Sequence, residues 1–441
     1  MPGGPTPAMP ESHPFPDGDG DVPAPPPRRA WSWVPSLYFL EGLPYVVANN
    51  LSVAMYKSLE VSNSQIAFLT SWLSLVWAAK ALWSPFVDGV GTKRRWVVAM
   101  QLAMVPALFG VMASLSMPNF VLWTMVGFFV VGFLSATHDV AADGLYILAL
   151  DDDQQAAWVG IRSTFWRLAL VFGEGGLLVL AGTLGTTYGP TAGWQLTLLA
   201  TAALFAAGAL YHAFLLPRAA ADRPRDEPME QAGCEAVRSF FAKPDLLRGL
   251  AIILFFRFAE NHMAKLVVPF LMDSAEAGGL GLSLEQVGIA KGTVGVLCLV
   301  AGGILGGLAI YAHGLRRWLW PMVIALNVPN LVYVYLAWVR PDDLLVVNAL
   351  IGVESFGYGF GFSAYMMYLI HFARGEYQTT HYAFATGLMA LAVWAAQFWS
   401  GWMEEWLGYQ GFFLWVVALT LPGFAVAYLV DVPASFGRRS E

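Results

Sequence analysis

Twelve ionisable side chains lie inside apolar stretches that are long enough to cross a membrane, and their charges balance. The acids are Glu41, Asp139, Asp143, Glu174, Glu260 and Glu354, and the bases are Lys80, Arg162, Arg167, Arg257, Lys265 and Lys291. Charged groups are costly in hydrocarbon, so each must face a protein interior or a water-filled path and find a partner. The set predicts a polar cavity through a helical bundle, which is typical of a transporter.

Asp139 and Asp143 are the best candidates for a proton-coupling site. They are four residues apart, so both carboxylates project from one face of a helix. Neighbouring acids repel when both are ionised, and burial also disfavours the charged form, so such a pair favours proton uptake and release. For Asp143 a solvated position beside the basic turn at 93–95 is an equal alternative. We expect His138 to pack or hydrogen-bond, because no second metal ligand has suitable spacing.

The elements that must position these groups are membrane-spanning helices. Apolar residues make up 57% of the chain and charged residues only 12%, and apolar runs of about 20 residues recur throughout. Turn residues divide these runs into twelve predicted spans. The spans are 33–57, 65–87, 96–116, 119–148, 156–185, 191–216, 246–273, 283–311, 318–339, 342–371, 380–404 and 409–431.

The longest connection divides the spans six and six. It holds five Lys and Arg residues, and the chain before the first span holds ten prolines without the apolar core of a signal peptide. Cys234 and Cys298 are poorly placed for a disulfide bridge or a thiolate metal site. The predicted units are a disordered tail (1–30), a six-helix half (31–216), a linker (217–245), a second six-helix half (246–431) and a short tail (432–441).

The distribution of Lys and Arg predicts the orientation. If both termini face the cytoplasm, almost all loop Lys and Arg residues fall on that side, and the outer loops keep only Lys57 and Arg340. The linker and both tails are therefore expected to be cytoplasmic.

The two halves also resemble each other. Ser62-Asn63-Ser64-Gln65 opens the second span and Ser283-Leu284-Glu285-Gln286 opens the eighth, and each half places an acid, Glu41 or Glu260, in its first span. Internal repeats of this kind indicate two bundles that rock about a site at the membrane midplane.

Three motifs of the sequence belong together: the stretch Lys80 to Asp88 with the basic turn 93–95, the stretch Ser135 to Asp143, and Glu41-Gly42-Leu43-Pro44. They resemble the AmpG family of muropeptide permeases, in the major facilitator superfamily, although a small residue is common in that family at the position of Glu41. The resemblance implies an all-α membrane protein of about twelve helices. It also implies proton-driven import of anhydromuropeptides, which are cell-wall sugar peptides, across a bacterial inner membrane. Acetyl-CoA transporters are similar, so one substrate does not follow.

A muropeptide carries hydroxyls, amides and carboxylates, and midspan charges suit it. Arg can bind a carboxylate through two parallel bonds, and Glu can accept from hydroxyls or amines. Arg257 and Glu260, three apart, are expected to share a helix face, and Lys291 to guide an anion inward. The alternative is that these charges pair only with one another to fix helix packing. The predicted substrate-binding residues are Glu41, Tyr45, Arg167, Arg257, Glu260, Lys291, Glu354 and Tyr358.

The turn after the second span resembles the gating turn of the same superfamily. An acid at the end of this span can bind the opposite half and close the cytoplasmic side. Ordinary positive-inside topology also explains the basic residues, though not the acid. The predicted gating residues are Asp88, Lys93, Arg94 and Arg95.

Other classes of function remain as alternatives. A related permease for another anionic solute, such as a CoA ester or a siderophore, fits the same charges, and so does a membrane sensor that binds a ligand without moving it. A membrane enzyme is disfavoured, because no nucleophile stands beside a base in a known pattern. We expect no cofactor, no metal and no nucleic-acid partner, and a monomer whose partners are its solute, protons and the lipid bilayer.

Overall fold

The computed structural model describes residues 30–150, 152–220, 222, 238–374 and 378–438, and every regular element in these ranges is a helix. The predicted tail 1–30 lies outside the described residues apart from Ala30. Most of the predicted linker and residues 439–441 also lie outside them.

Six helical spans, α1 to α6, precede the linker. Three of them contain a π-helical or 3₁₀ segment. They are α1 (Val34–Val46, Val47–Leu51 and Ser52–Ser58), α2 (Asn63–Ala79, Lys80–Leu82 and Ser84–Gly89), α3 (Lys93–Ser114), α4 (Phe120–Ala149), α5 (Asp152–Leu170, Val171–Leu177 and Leu178–Tyr188) and α6 (Pro190–Leu215).

Six further spans, α7 to α12, follow it. Gly408 has non-helical angles (φ 64°, ψ 168°) and divides one long helical stretch, Gln378–Ala418, into α11 and the start of α12. They are α7 (Leu246–Phe255, Phe258–Met263 and Val267–Met272), α8 (Leu284–Val287, Gly288–Gly295 and Val296–His313), α9 (Leu315–Asn327, Val328–Asn330 and Leu331–Val339), α10 (Leu344–Phe372), α11 (378–407) and α12 (409–418 and Thr420–Ala427).

Within the described ranges, eight helices are long and apolar enough to span a membrane by themselves. The other predicted spans are interrupted. Pro44 and a π-helical segment interrupt α1, a 3₁₀ turn at Lys80 interrupts α2, and two breaks interrupt α7. α11 and α12 together count as one of the eight, because no gap in the helical stretch separates them despite the kink at Gly408. Polar residues concentrate at such breaks, where the backbone lines protein or a cavity instead of lipid.

In the described part of the chain, the main pairings between the two halves are α2 with α11, α5 with α8, and α1 with α7. We call the end of the bundle at residues 59–63 and 273–283 the distal end, and the end at residues 90–93 and 313–315 the linker end. At the distal end Lys57 lies 2.5 Å from Asp273, which also accepts a bond of 2.6 Å from Tyr409. Asn63 donates to Glu404 at 2.8 Å. These polar bonds hold the halves together there.

Candidate functional site

The first charged group, here the amino-terminal cluster, consists of Glu41, Lys80, Asp139, Asp143 and Arg162. Lys80 of α2 donates to Asp139 of α4. The Arg162 guanidinium of α5 lies 3.2 Å from Asp143. The two acids that share a face of α4 therefore each receive a separate cation from a neighbouring helix.

Aromatic side chains complete the environment of Asp143. Tyr38 of α1 donates to the Asp143 carboxylate at 2.9 Å. The Arg162 guanidinium lies 4.6 Å from the centroid of the Tyr38 ring and 4.9 Å from that of Tyr146, which adds cation–π attraction. Arg162 is thus fixed on the face of α5 that meets α1 and α4.

Glu41 lies among these groups but joins none of the pairs. Its side chain is buried, and the Oε2 atom has no hydrogen-bond partner. The charges that act on it most strongly are those of the four other members of the cluster. Glu41 is therefore the acid of this cluster that lacks its own counter-ion.

The second group, here the central cluster, consists of Glu174, Arg257, Glu260, Lys291 and Glu354. The Lys291 ammonium of α8 lies 3.6 Å from Glu354 of α10. Glu354 is 2% exposed and also accepts from Tyr333 at 3.1 Å and from Ser355 at 3.2 Å. The hydrogen bonds satisfy a carboxylate that burial would otherwise make costly.

Glu260 occupies the same cluster with less support. It is buried, and its Oε2 atom has no hydrogen-bond partner, although the charges of Glu354, Lys291 and Arg257 act on it. Lys291 also interacts electrostatically with Glu174 across the halves. The Lys291 ammonium group therefore interacts with three carboxylates, those of Glu354, Glu260 and Glu174.

Three π-helical segments bring the two halves together at this level. They lie at Val47–Leu51 in α1, Val171–Leu177 in α5 and Gly288–Gly295 in α8. Asn50 of the first donates to Glu174 of the second. Gly292 of the third lies so close that a Cβ atom there would collide with the Glu174 carbonyl. Extra residues inserted into a helical turn are frequent at functional sites, because they redirect side chains.

Arg257 acts electrostatically on Glu260, but its direct contacts are with aromatic side chains of α10. The backbone of α7 breaks at Arg257 (φ −115°, ψ 24°). The guanidinium lies over the rings of Tyr358, Phe362 and Tyr365 of α10, at 5.1, 4.6 and 5.8 Å, and donates to the Tyr358 hydroxyl. Its Nε atom is without a hydrogen-bond partner. A cation framed by aromatic rings in this way presents both charge and stacking surface to a ligand.

Two further predicted binding residues lie apart from the ion pairs. Tyr45 packs edge-on against Trp77, with ring centroids 5.0 Å apart, and Arg167 is half-buried on α5. Tyr358, by contrast, lies in the Arg257 site. The structure thus brings Arg257 and Tyr358 together, and Lys291 with Glu354, while Glu41 belongs to the other cluster.

The predicted gating turn lies at the linker end. Asp222 accepts from the backbone N–H groups of Lys93 and Arg94 at 2.6 and 3.1 Å, and so caps α3. Lys93 donates to the Val87 carbonyl, and Arg94 donates to the carbonyl of Leu216 after α6. The Arg95 backbone N–H bonds to the Thr92 hydroxyl, and the side chain of Asp88 lies outside the described part of the structure.

Sequence reasoning missed several polar partners. Tyr38, Asn50 and Tyr333 each donate to a cluster carboxylate, and Lys80 and Arg162 each pair with an acid of α4. The pair Asn49-Asn50 inside an apolar helix was a usable signal, because amides buried in a membrane need partners. Within the described ranges, no three His, Cys, Asp or Glu side chains form a metal-binding group.

A family comparison defines the class of protein. A model of the Major Facilitator Superfamily matches residues 36–397, so the chain belongs to this superfamily and is a multi-pass inner-membrane transporter. The fold class expected from the sequence is confirmed.

Individual relatives are more specific. The anhydromuropeptide permease of Escherichia coli strain K12 is 25% identical over 392 residues, which cover 88% of this chain and 77% of the permease. A Rickettsia felis protein carrying the name AmpG 4 is 24% identical over 412 residues, which cover 89% of this chain and 94% of that protein. The resemblance to the AmpG family is therefore confirmed.

Two solved structures support the fold. A bacterial homologue of the human lysosomal transporter Spinster, in an inward-facing and occupied conformation, gives a TM-score of 0.59 at 16% identity, covering 91% of this chain and 94% of that one. A mutant of the nucleoside transporter NupG gives 0.66 at 12% identity, covering 92% and 100%.

Proposed function

We propose that this protein imports anhydromuropeptides together with protons across a bacterial inner membrane. The observation that carries the proposal is the Arg257 site, where a guanidinium with a spare N–H group lies against three aromatic rings beside the acids of the central cluster. Such a site suits a solute that has a carboxylate and a sugar ring. The relatives named as permeases for this solute support the choice.

The individual roles are proposed as the sequence predicts them. Arg257 binds a substrate carboxylate, Tyr358 lies beside a sugar ring, and Asp139 with Asp143 belongs to the cluster that handles protons. The other binding residues are Glu41, Tyr45, Arg167, Glu260, Lys291 and Glu354, and Asp88 with the basic turn 93–95 contributes to the gate.

The proposed orientation places the linker end in the cytoplasm, with both termini there. The polar bonds of Lys57, Asn63 and Asp273 then close the outer side. On this interpretation the structure is an inward-facing state, and import proceeds when these bonds break and the halves rock.

A proton gradient supplies enough energy for this cycle. One proton that moves through ~150 mV contributes about 3.5 kcal/mol, which supports accumulation of roughly a few hundredfold. No nucleotide hydrolysis is required.

The test uses proteoliposomes and a radiolabelled anhydromuropeptide. We expect accumulation under an inward proton gradient, loss of uptake in Arg257→Ala, and partial uptake in Arg257→Lys, which keeps the charge but loses the planar fork. Arg316→Gln, an exposed change at the linker end, is the control with normal uptake.

Competing solutes distinguish the alternatives. If an unlabelled CoA ester or siderophore is accumulated and the muropeptide is not, the substrate assignment is wrong. Binding without accumulation in sealed vesicles would indicate a sensor.

A further inference from the structure

The two charge clusters have the same numbers of acidic and basic side chains. Each contains three acids and two bases, so each has one acid in excess when every group is ionised. In the amino-terminal cluster the two bases are already taken by Asp139 and Asp143. In the central cluster Lys291 is taken by Glu354, and Arg257 by aromatic rings. The acid without a cation in the amino-terminal cluster is Glu41. In the central cluster Glu174 accepts a hydrogen bond from the Asn50 amide, which leaves Glu260.

The same two acids have buried carboxylate oxygens without partners. Glu41 is 6% exposed and Glu260 8% exposed, and in each the Oε2 atom has no hydrogen-bond partner. A buried carboxylate in this position leaves a full negative charge unsatisfied, whereas a carboxylic acid carries no net charge. Both sites therefore suit a bound proton.

The two acids also occupy matching places in the internal repeat. Each lies in the first helix of its half, on α1 or α7. Glu260 follows Glu41 by 219 positions, and Ser283 follows the equivalent cap Ser62 by 221. Both helices are irregular next to the acid, at the π-helical segment of α1 and at the breaks of α7.

The charged neighbours of both acids come from several helices. Glu41 faces Tyr38 of its own helix, Lys80 of α2, Asp139 and Asp143 of α4, and Arg162 of α5. Glu260 faces Arg257 of its own helix, Lys291 of α8, Tyr333 of α9, and Glu354 and Tyr358 of α10. In both sets each positively charged side chain lies closer to another partner than to Glu41 or Glu260.

We propose that Glu41 and Glu260 are two proton-binding residues, one in each half, and that both protons move with each solute molecule. The inference rests on the proposed function. Asp139 and Asp143 act here as counter-ions of Lys80 and Arg162, which keep the amino-terminal cluster assembled while the proton on Glu41 comes and goes.

A direct test measures protonation without any solute. Infrared difference spectra of the purified protein in lipid discs, recorded during a pH titration, separate the C=O stretch of a protonated carboxyl from the bands of ionised carboxylates. We expect Glu41→Gln and Glu260→Gln each to remove one protonated-carboxyl component, and Asp139→Asn to remove none. Glu276→Gln, an exposed loop change, is the control. Unchanged bands in both glutamate variants would overturn the proposal.

A second test counts protons by thermodynamics. With the membrane potential clamped at zero and an inward gradient of one pH unit, each coupled proton allows about tenfold accumulation of the anhydromuropeptide. We expect about 100-fold in wild type, about tenfold in each single Gln variant and none in the double variant. Counterflow in the same vesicles reports solute exchange separately from coupling, and where a Gln variant loses counterflow, the infrared spectrum decides the proton site.

The outcomes separate the two proposals. Glu41→Asp and Glu260→Asp keep a titratable group and should retain most of the wild-type ratio. If both Gln variants still reach the wild-type ratio while Asp139→Asn does not, coupling belongs to Asp139. If wild type shows neither counterflow nor accumulation, the substrate proposal fails, and the infrared result alone decides the proton sites.

Discussion

The amino-terminal and central clusters each contain three acids and two bases, but their ion pairs are buried to different degrees. In the amino-terminal cluster the side chains of Lys80 and Asp143 are 37% and 39% exposed. In the central cluster the side chain of Lys291 is 27% exposed, but its partner Glu354 is only 2% exposed. The ion pairs of the first cluster therefore contain no fully buried member, whereas the ion pair of the second contains a fully buried carboxylate. The same charges are therefore expected to contribute more to stability in the second cluster.

The largest effect should come from removing one cation of each cluster. Lys291→Met leaves Glu354 buried without its cation, so the free energy of unfolding should fall by about 3–5 kcal/mol. Lys80→Met should cost about 1 kcal/mol or less, because water screens that pair. Reversible unfolding in mixed micelles measures both values.

A double variant controls for loss of packing. Lys291→Met with Glu354→Gln should recover much of the loss, because no charge remains unpaired. Equal costs for the two single Lys variants would show that burial does not distinguish the clusters.

Removing a tyrosine hydroxyl that donates to a cluster carboxylate should also cost more unfolding free energy in the central cluster than in the amino-terminal cluster. Tyr333→Phe removes a hydrogen bond to the buried Glu354 and should cost about 2 kcal/mol. Tyr38→Phe removes the bond to the part-exposed Asp143 and should cost about 1 kcal/mol, since water can replace the hydroxyl. The same unfolding assay applies, and a larger loss for Tyr38→Phe would contradict the comparison.

The linker end offers a difference between the halves themselves. Asp222 caps α3, whereas α9, which occupies the corresponding place, follows Gly314 without a side-chain cap. Asp222→Ala should therefore lower stability by about 1 kcal/mol. Asp222→Asn keeps the acceptor and loses only the charge, so it should cost less. If Asp222→Asn and Asp222→Ala lower stability equally, the charge of Asp222 and not its acceptor oxygen stabilises α3.

The smallest effect concerns the matching caps of α2 and α8. Ser283 forms a complete capping box with Gln286, whereas Ser62 accepts a single bond from Gln65. We expect Ser283→Ala to cost about 1 kcal/mol and Ser62→Ala about 0.5 kcal/mol. Thermal denaturation of the two variants side by side would show the order, and the reverse order would mean that packing outweighs the second bond.

Much of the architecture was predictable from the sequence. The apolar runs predicted each helical span, because length and hydropathy are local properties. The twelve charged positions were also visible, since a charge inside an apolar run stands out in any single chain. The interruptions were less visible. No local sequence pattern predicts the π-helical segments of α5 and α8. They lie where these two helices from different halves pack closely through Gly175 and Gly292.

The sequence by itself determined that charges lie in the membrane, that they balance overall and that a repeat relates the two halves. Only the tertiary structure decided which charges pair. Asp139 and Asp143 look alike on one helix face, yet each receives a cation from a different helix, α2 or α5. Arg257 and Glu260 are three apart, yet Arg257 donates to Tyr358 of α10 and Glu260 keeps an oxygen without a hydrogen-bond partner. Pairing depends on distances between helices that are remote in sequence, and no local pattern contains those distances.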